Sequence, residues 1–558
     1  MYIYTISYRK LPTLHLKIPW DWSSDPFETG NGCHHFFSLR WLPQMIENWK
    51  EKPNENPNPL YILNDFLSYH SYPENPVNKF YLSRRADHTA SIRLGILIDF
   101  WNKGKFENNI YNIDKQLLKN EIEKHIAIMS SDKIYRFPNN HGLMMDHALI
   151  TASLTAPEFD TDKIYFNIGE KRAKKQIEHM FDDFGFTKEH SLVYQAYNAS
   201  ICIDLLNTYK KHNLATDLTE RIYQIIATSH YFLRFSKRPD GLYPPIGDSF
   251  REWYKSNNNQ VDNIEKTLNN APKHIQNRSK KYWDEVEQNG FLVAPKAGFA
   301  VIRDQHGPDP IKDSSHIFFT ASWHSRTHKQ NDDLSFTFFT DGISWIDDPG
   351  YSDQATICSY RKEEMHNVLT NITHKWSKTN SIKSTHITKY FNQSKLHAIQ
   401  GKHSRIKYTT VTRTLVYISP SILIVIDNVQ TQLNTPFCQK FHFSPDITPT
   451  LTSYGDVLCS HSKHRCFCGV MSLFTKNANK ISIEDSYVIN TNGTMLPTKS
   501  AKYIFSHKNM FNIFILQNKI KNSNFFIRDI DYSNSNQIIV STINNSIYND
   551  FIFHLKSC

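Results

Sequence analysis

Glycine is scarce in this chain, 18 of 558 residues, and with only 24 prolines no tract resembles collagen or a linker. Coiled-coil and low-complexity scaffolds are excluded on the same compositional grounds. Cysteine is sparse as well. Eight irregularly spaced residues rule out a disulfide framework. The one dense patch, Cys459, His461, His464, Cys466 and Cys468, matches no common zinc module. Long hydrophobic runs are missing: no segment approaches the ~18 apolar residues of a membrane span. Residues Met1–Pro12 place their charges after the apolar positions and lack the continuous apolar stretch of a secretory signal. Taken literally, this N-terminus leaves the chain in the cytoplasm. Charge of either sign is undominant, with 64 Lys and Arg against 54 Asp and Glu. That small basic excess suits an anionic partner, but it forms no block and no nucleic-acid-binding module accompanies it.

What is present is a folded composition: 39% hydrophobic and 21% charged residues, with 28 Tyr, 36 Phe and 27 His. Most of these rings must be core, although aromatic faces and imidazoles are also what sugar-binding clefts use. At about 150 residues per domain, the length implies two to four domains.

The hydrophobic period changes near residue 290. Before it, apolar residues recur at helical spacing, as at Ile201, Cys202, Leu205, Leu206 and Tyr209, and again from Ile222 to Leu233. Short Pro/Asn breaks such as Pro53–Pro59 separate these segments, which implies antiparallel helix hairpins. After it, the period falls to two: Phe336 and Phe338 alternate with Ser335 and Thr337. Strand-like runs follow at 409–417, 421–429, 482–489 and 537–543. The expectation is a helical domain over 1–290 and an antiparallel β domain over 291–558, joined between about residues 284 and 298.

Four polar stretches stand out from their surroundings. Asn139-Asn140-His141-Gly142 suits a helix start and also offers neutral donors to a carboxylate. Glu189-His190-Ser191 would cap a helix carrying Tyr194 and Tyr197. A tyrosine aimed into a cleft serves as acid or base if a neighbouring cation lowers its pKa from about 10. Trp323–Ser335 packs two His, Arg, Lys and two Asp immediately before a strand, which is hard to explain as core. Asp347-Asp348-Pro349-Gly350, Tyr360-Arg361 and His366-Asn367 complete the set, with turn chemistry as the plainer reading of Asp-Pro-Gly.

In this order the stretches resemble the heparinase II/III-type polysaccharide lyases, which include heparan sulfate and alginate lyases. The family pattern of Asn-His-Gly, Glu-x-Ser-x-x-Tyr, His-x-His-x-Asp-x-Leu-Ser, Asp-Pro-Gly and His-Asn is met at five places. These are Asn140–Gly142, Glu189/Ser191/Tyr194, His328–Ser335, Asp348–Gly350 and His366-Asn367. Matching residues run from Trp20–Pro26 to about 445, and the segments Arg413–Tyr417 and Leu423–Asp427 resemble the family's β domain. The resemblance implies an incomplete (α/α) toroid followed by an antiparallel β-sandwich, and β-elimination on a uronic acid in an acidic polysaccharide. It gives Asn140 and His141 the substrate carboxylate, makes Tyr194 the general acid and perhaps also the base, and makes His328 the second proton-transfer residue. Glu189 and Arg361 become substrate contacts. It also implies action outside the cytoplasm, against the literal reading of the N-terminus.

Two positions depart from the pattern. Gln330 replaces the second histidine of His-x-His, a position that in relatives helps an Asp and a later His bind a metal. Asp348 and His366 remain as metal candidates, but an amide is a poor zinc ligand beside imidazole, so no cofactor is expected to be required. Gln195 stands where relatives often carry His after the tyrosine. Two other functions compete: a glycoside hydrolase using two of Asp146, Asp248 and Asp332, and a non-catalytic polysaccharide-binding protein.

Overall fold

The computed structural model describes residues 2–7, 12–27, 30–53, 57–71, 86–106, 113–252, 258–304, 313–352, 359–377, 384–462, 471–474, 478–506, 511–518, 525–534, 536–544 and 547–558. His464, Cys466 and Cys468 of the Cys/His patch lie outside these residues; Cys459 is buried in strand Val457–His461.

The chain forms two compact units. One comprises residues 1–180 with 204–219, the other 181–203 with 220–558. Secondary structure changes type elsewhere, where helix Lys273–Asn289 stops at left-handed Gly290 and strand Phe291–Ala294 begins. The helices between 220 and 289 therefore group with the strands, because packing rather than element type defines a compact unit.

The first unit opens with an antiparallel pair, Tyr2–Ile6 with Leu14–Ile18, which the helical period of the first half did not announce. Helices follow, including Leu60–Ser71, Ala86–Phe106, Lys115–Ser130, Asn140–Thr155 and Ile164–Met180. Their apolar stripes bury Trp22, Phe36, Leu63, Ile122 and Leu149 in one core. Trp22 donates through Nε1 to Asp65 Oδ2 at 2.8 Å, which satisfies its one polar atom inside that core.

In the second unit, the pairing is antiparallel throughout. A five-stranded sheet (residues 291–346), a nine-stranded sheet and a four-stranded sheet share a single core of aromatic and β-branched side chains. A three-stranded sheet packs on strands of the nine-stranded one through a separate cluster. Strand Phe336–Thr340 is buried along its whole length, although its sequence begins by alternating apolar and polar residues. Its polar face is covered by protein, and Thr340 accordingly donates to Ser421 Oγ at 2.9 Å. Arg413 pairs bidentately with Asp427 across strands Thr409–Ile418 and Ile422–Thr431, at 2.7 and 2.8 Å. That buried pair pins their register.

Candidate active site

Each of the matched stretches acquires its geometry from its local backbone. In the first unit, Asn139 caps helix Asn140–Thr155, its Oδ1 accepting from Gly142 N at 3.2 Å. Gly142 is obligatory there: a Cβ would stand 1.9 Å from Arg136 O and 1.8 Å from Gln176 Nε2. The cap frees Asn140, which is 5% exposed and whose amide meets no partner among the described residues. His141 directs Nδ1 to Asp87 Oδ2 at 3.4 Å.

In the second unit, Ser191 Oγ accepts from Tyr194 N at 3.2 Å and starts helix Leu192–Lys211. The turn before it passes through left-handed His190 (φ 62). It is packed so closely on Gly247 that a Cβ there would lie 2.4 Å from His190 O. His190 is buried, and its Nε2 accepts from His324 N at 3.0 Å. Burial, with Lys329 and His324 nearby, drives its pKa well below the ordinary value, so it is a neutral brace.

His328, also left-handed (φ 55), meets Glu189 and Tyr194. Glu189 Oε2 lies 2.9 Å from His328 Nδ1, and the imidazole stacks on the Tyr194 ring with centroids 3.5 Å apart. A carboxylate only accepts, so Nδ1 carries hydrogen and Nε2 is left as the basic nitrogen. Glu189 is buried, and its Oε1 has no partner among the described residues. Its other oxygen thus holds the His328 ring at Nδ1. Tyr194 is held well above the usual phenol pKa by burial first and then by Tyr351, Asp248 and Glu189. The expected activating cation is absent from that set. Neighbouring carboxylates keep the hydroxyl protonated, which suits an acid.

Gln330 donates its amide nitrogen to Gly247 O and to Asp248 Oδ1, both at 2.9 Å. Asp248 Oδ2 accepts from Arg361 Nη2 at 2.9 Å. The Arg361 guanidinium is about one-third exposed and lies over the Tyr351 and Tyr360 rings. Asp348 accepts from His366 Nδ1 and Ser335 Oγ, each at 3.1 Å. Gln330 would offer only its amide oxygen, which is buried without a partner among the described residues, as is His366 Nε2. This donor set suits tetrahedral zinc poorly. Among the described residues, no three His, Cys, Asp or Glu side chains stand together as a metal would need.

The buried charges of Trp323–Ser335 form a network, which their density in the sequence concealed. Lys329 bridges Asp332 and Asp333 with all three side chains buried, and Arg405 closes the network on Asp333 at 2.7 Å over the Trp323 ring. The three carboxylates named for a hydrolase each have a partner. Asp332 is tied to Lys329, Asp248 to Arg361 and Gln330, and Asp146, in the first unit, to Tyr135 at 2.9 Å. Sequence reasoning did not foresee the contact between Glu189 and His328. A lone acidic residue ahead of a helix gives no hint of a histidine far along the chain.

Two family models match the chain: Heparinase II/III N-terminus over residues 21–276, and Heparinase II/III-like, C-terminal over 287–538. None of the curated proteins compared by sequence matches it. Solved structures do. A heparinase III with methylated lysines superposes with a TM-score of 0.72 at 14% identity, over 99% of this chain and 88% of that one. The heparan sulfate lyase HepC from Pedobacter heparinus gives 0.67 at 17%, over 98% and 86%. A further heparinase III structure gives 0.71 at 15%, over 96% and 85%. At these identities the likeness is one of fold, an incomplete (α/α) toroid followed by an antiparallel β-sandwich. With both family models covering most of its length, the chain belongs to the heparinase II/III-like family of polysaccharide lyases.

Proposed function

We propose that this lyase cleaves a uronic-acid-containing acidic polysaccharide by β-elimination. The observation that carries the reading is the Glu189–His328–Tyr194 arrangement: a carboxylate fixing one ring nitrogen, a free Nε2, and a protonated tyrosine stacked beside it. In the proposed step His328 Nε2 takes the C5 proton. The released electron pair forms the C4–C5 double bond, the C4–O bond breaks, and the Tyr194 hydroxyl protonates the departing oxygen. Glu189 stabilises the imidazolium that forms. Asn140 and His141 are assigned the uronate carboxylate, whose charge grows as the proton leaves, and Arg361 an anionic group of the substrate. No step is routed through a metal, because Gln330 leaves a poor zinc donor set.

Incubation with a panel of acidic polysaccharides tests this. The expected outcome is ultraviolet absorbance from a new unsaturated uronic end. New reducing ends without that absorbance would indicate hydrolysis instead, and binding without cleavage would make the protein a non-catalytic receptor.

A further inference from the structure

In the first unit, Asp87 is a buried carboxylate shared by three donors. Its Oδ1 accepts from His88 N at 2.7 Å, and its Oδ2 accepts from Arg136 Nε at 2.9 Å and from His141 Nδ1 at 3.4 Å. Its side chain is 1% exposed, whereas Arg136 is 45% and His141 30% exposed. Burial works against the charge, but the His141, His88 and Arg136 donors hold its pKa below the usual carboxylate range. The His141 ring is braced from behind by His88, centroids 4.9 Å apart, and His88 stacks in turn on His34 at 4.0 Å. His34 is held from both sides, Nδ1 by Thr89 Oγ1 at 2.9 Å and Nε2 by Arg40 Nη2 at 2.8 Å. An arginine only donates, so His34 Nε2 accepts and that ring is uncharged.

Among the described residues, His141 Nε2 has no partner. With Nδ1 carrying hydrogen toward Asp87, a neutral His141 would present a lone pair at Nε2, which repels a carboxylate. A ring that binds a uronate must therefore carry a second proton. We infer that Asp87 is a positioning residue that fixes the His141 ring through Nδ1 and supports this second proton, so that His141 meets the substrate as an imidazolium. The charged groups around it divide. Asp87 favours the cation, Arg136 and a charged His88 would oppose it, and Arg40 acts only through His34. This deepens the proposed function and rests on the carboxylate role given there to His141.

The test is a pH titration of the histidine ring signals of the full chain by NMR without substrate, His141 being assigned by its loss in His141→Ala. In Asp87→Asn the midpoint of His141 should move down by about one pH unit, the scale of removing one opposite charge at this range. Asp87→Glu should restore it. An unchanged midpoint in Asp87→Asn would overturn the inference and leave Asp87 as a partner for Arg136 and the His88 amide. If Asp87→Asn fails to fold, Arg136→Gln, at an exposed side chain, substitutes. Freed of its competing cation, Asp87 should move the His141 midpoint up, and no movement would likewise overturn the inference. Because no substrate is present, this result stands apart from the lyase reading, which fails only if the native protein yields no unsaturated product.

Discussion

Tyr194 and His328 lie ring on ring, with planes 18° apart and centroids separated by 3.5 Å. The two groups to which we assign proton transfer are thus in ring contact, one held protonated and the other holding a free Nε2. If Tyr194 supplies the proton to the departing oxygen, Tyr194→Phe should lower kcat by about 10²-fold or more and leave KM nearly unchanged. Steady-state kinetics on a substrate confirmed with the native protein checks this. Full activity of the variant would return Tyr194 to a packing role.

If Glu189 acts through His328, Glu189→Gln should keep the ring in place but remove the charge that stabilises its protonated form. A fall in kcat of about tenfold or more, with an altered pH profile, is expected. His328→Ala should cost more. His324→Ala is the control, because His324 is half-buried, bonds Ala297 O at 3.3 Å, and has a pKa pushed down by burial to about 4. Its loss should lower the melting temperature more than it lowers kcat.

Asn140→Ala should reduce kcat by about 10²–10³-fold, the size found when one donor to a developing charge is removed. Since Asn139 and not Asn140 caps the helix, the melting temperature should change little. An equal loss of stability and activity would show that Asn140 serves the fold.

Glu121 gives a stability prediction independent of catalysis. Burial raises its pKa from 4.5 to about 7, opposed weakly by Lys124. A folded-state pKa above the unfolded one means that stability present below pH 4.5 is lost as pH rises through about 7. Glu121→Gln lacks that loss. It should match the native protein at pH 4 and exceed it at pH 8, by at most about 3 kcal/mol. Thermal melts at the two pH values decide it, and identical differences at both would exclude this cause.

The metal expectation is settled by elemental analysis of protein purified without chelator. Far less than one zinc per chain is expected. Stoichiometric zinc that disappears on Asp348→Ala would show that the amide of Gln330, or a ligand in its stead, serves after all.

Much of this was legible in the sequence because it depends on local periodicity. Ile201 to Tyr209 announced helix Leu192–Lys211, and the alternation at 409–417 announced strand Thr409–Ile418, since a backbone with a fixed repeat sorts side chains to one face wherever it occurs. The ordered motifs also located Tyr194, His328 and their family. Only the tertiary structure decided what each polar residue does. Lys329, Asp332 and Asp333 read as chemistry because they are charged, yet burial beside Arg405 makes them a lock. Glu189 read as a substrate contact, and the fold sets its Oε2 2.9 Å from Nδ1 of a histidine 139 residues away in the chain. A carboxylate's role is set by which donor reaches it and how much water is excluded, and both are properties of packing that no local run of residues contains.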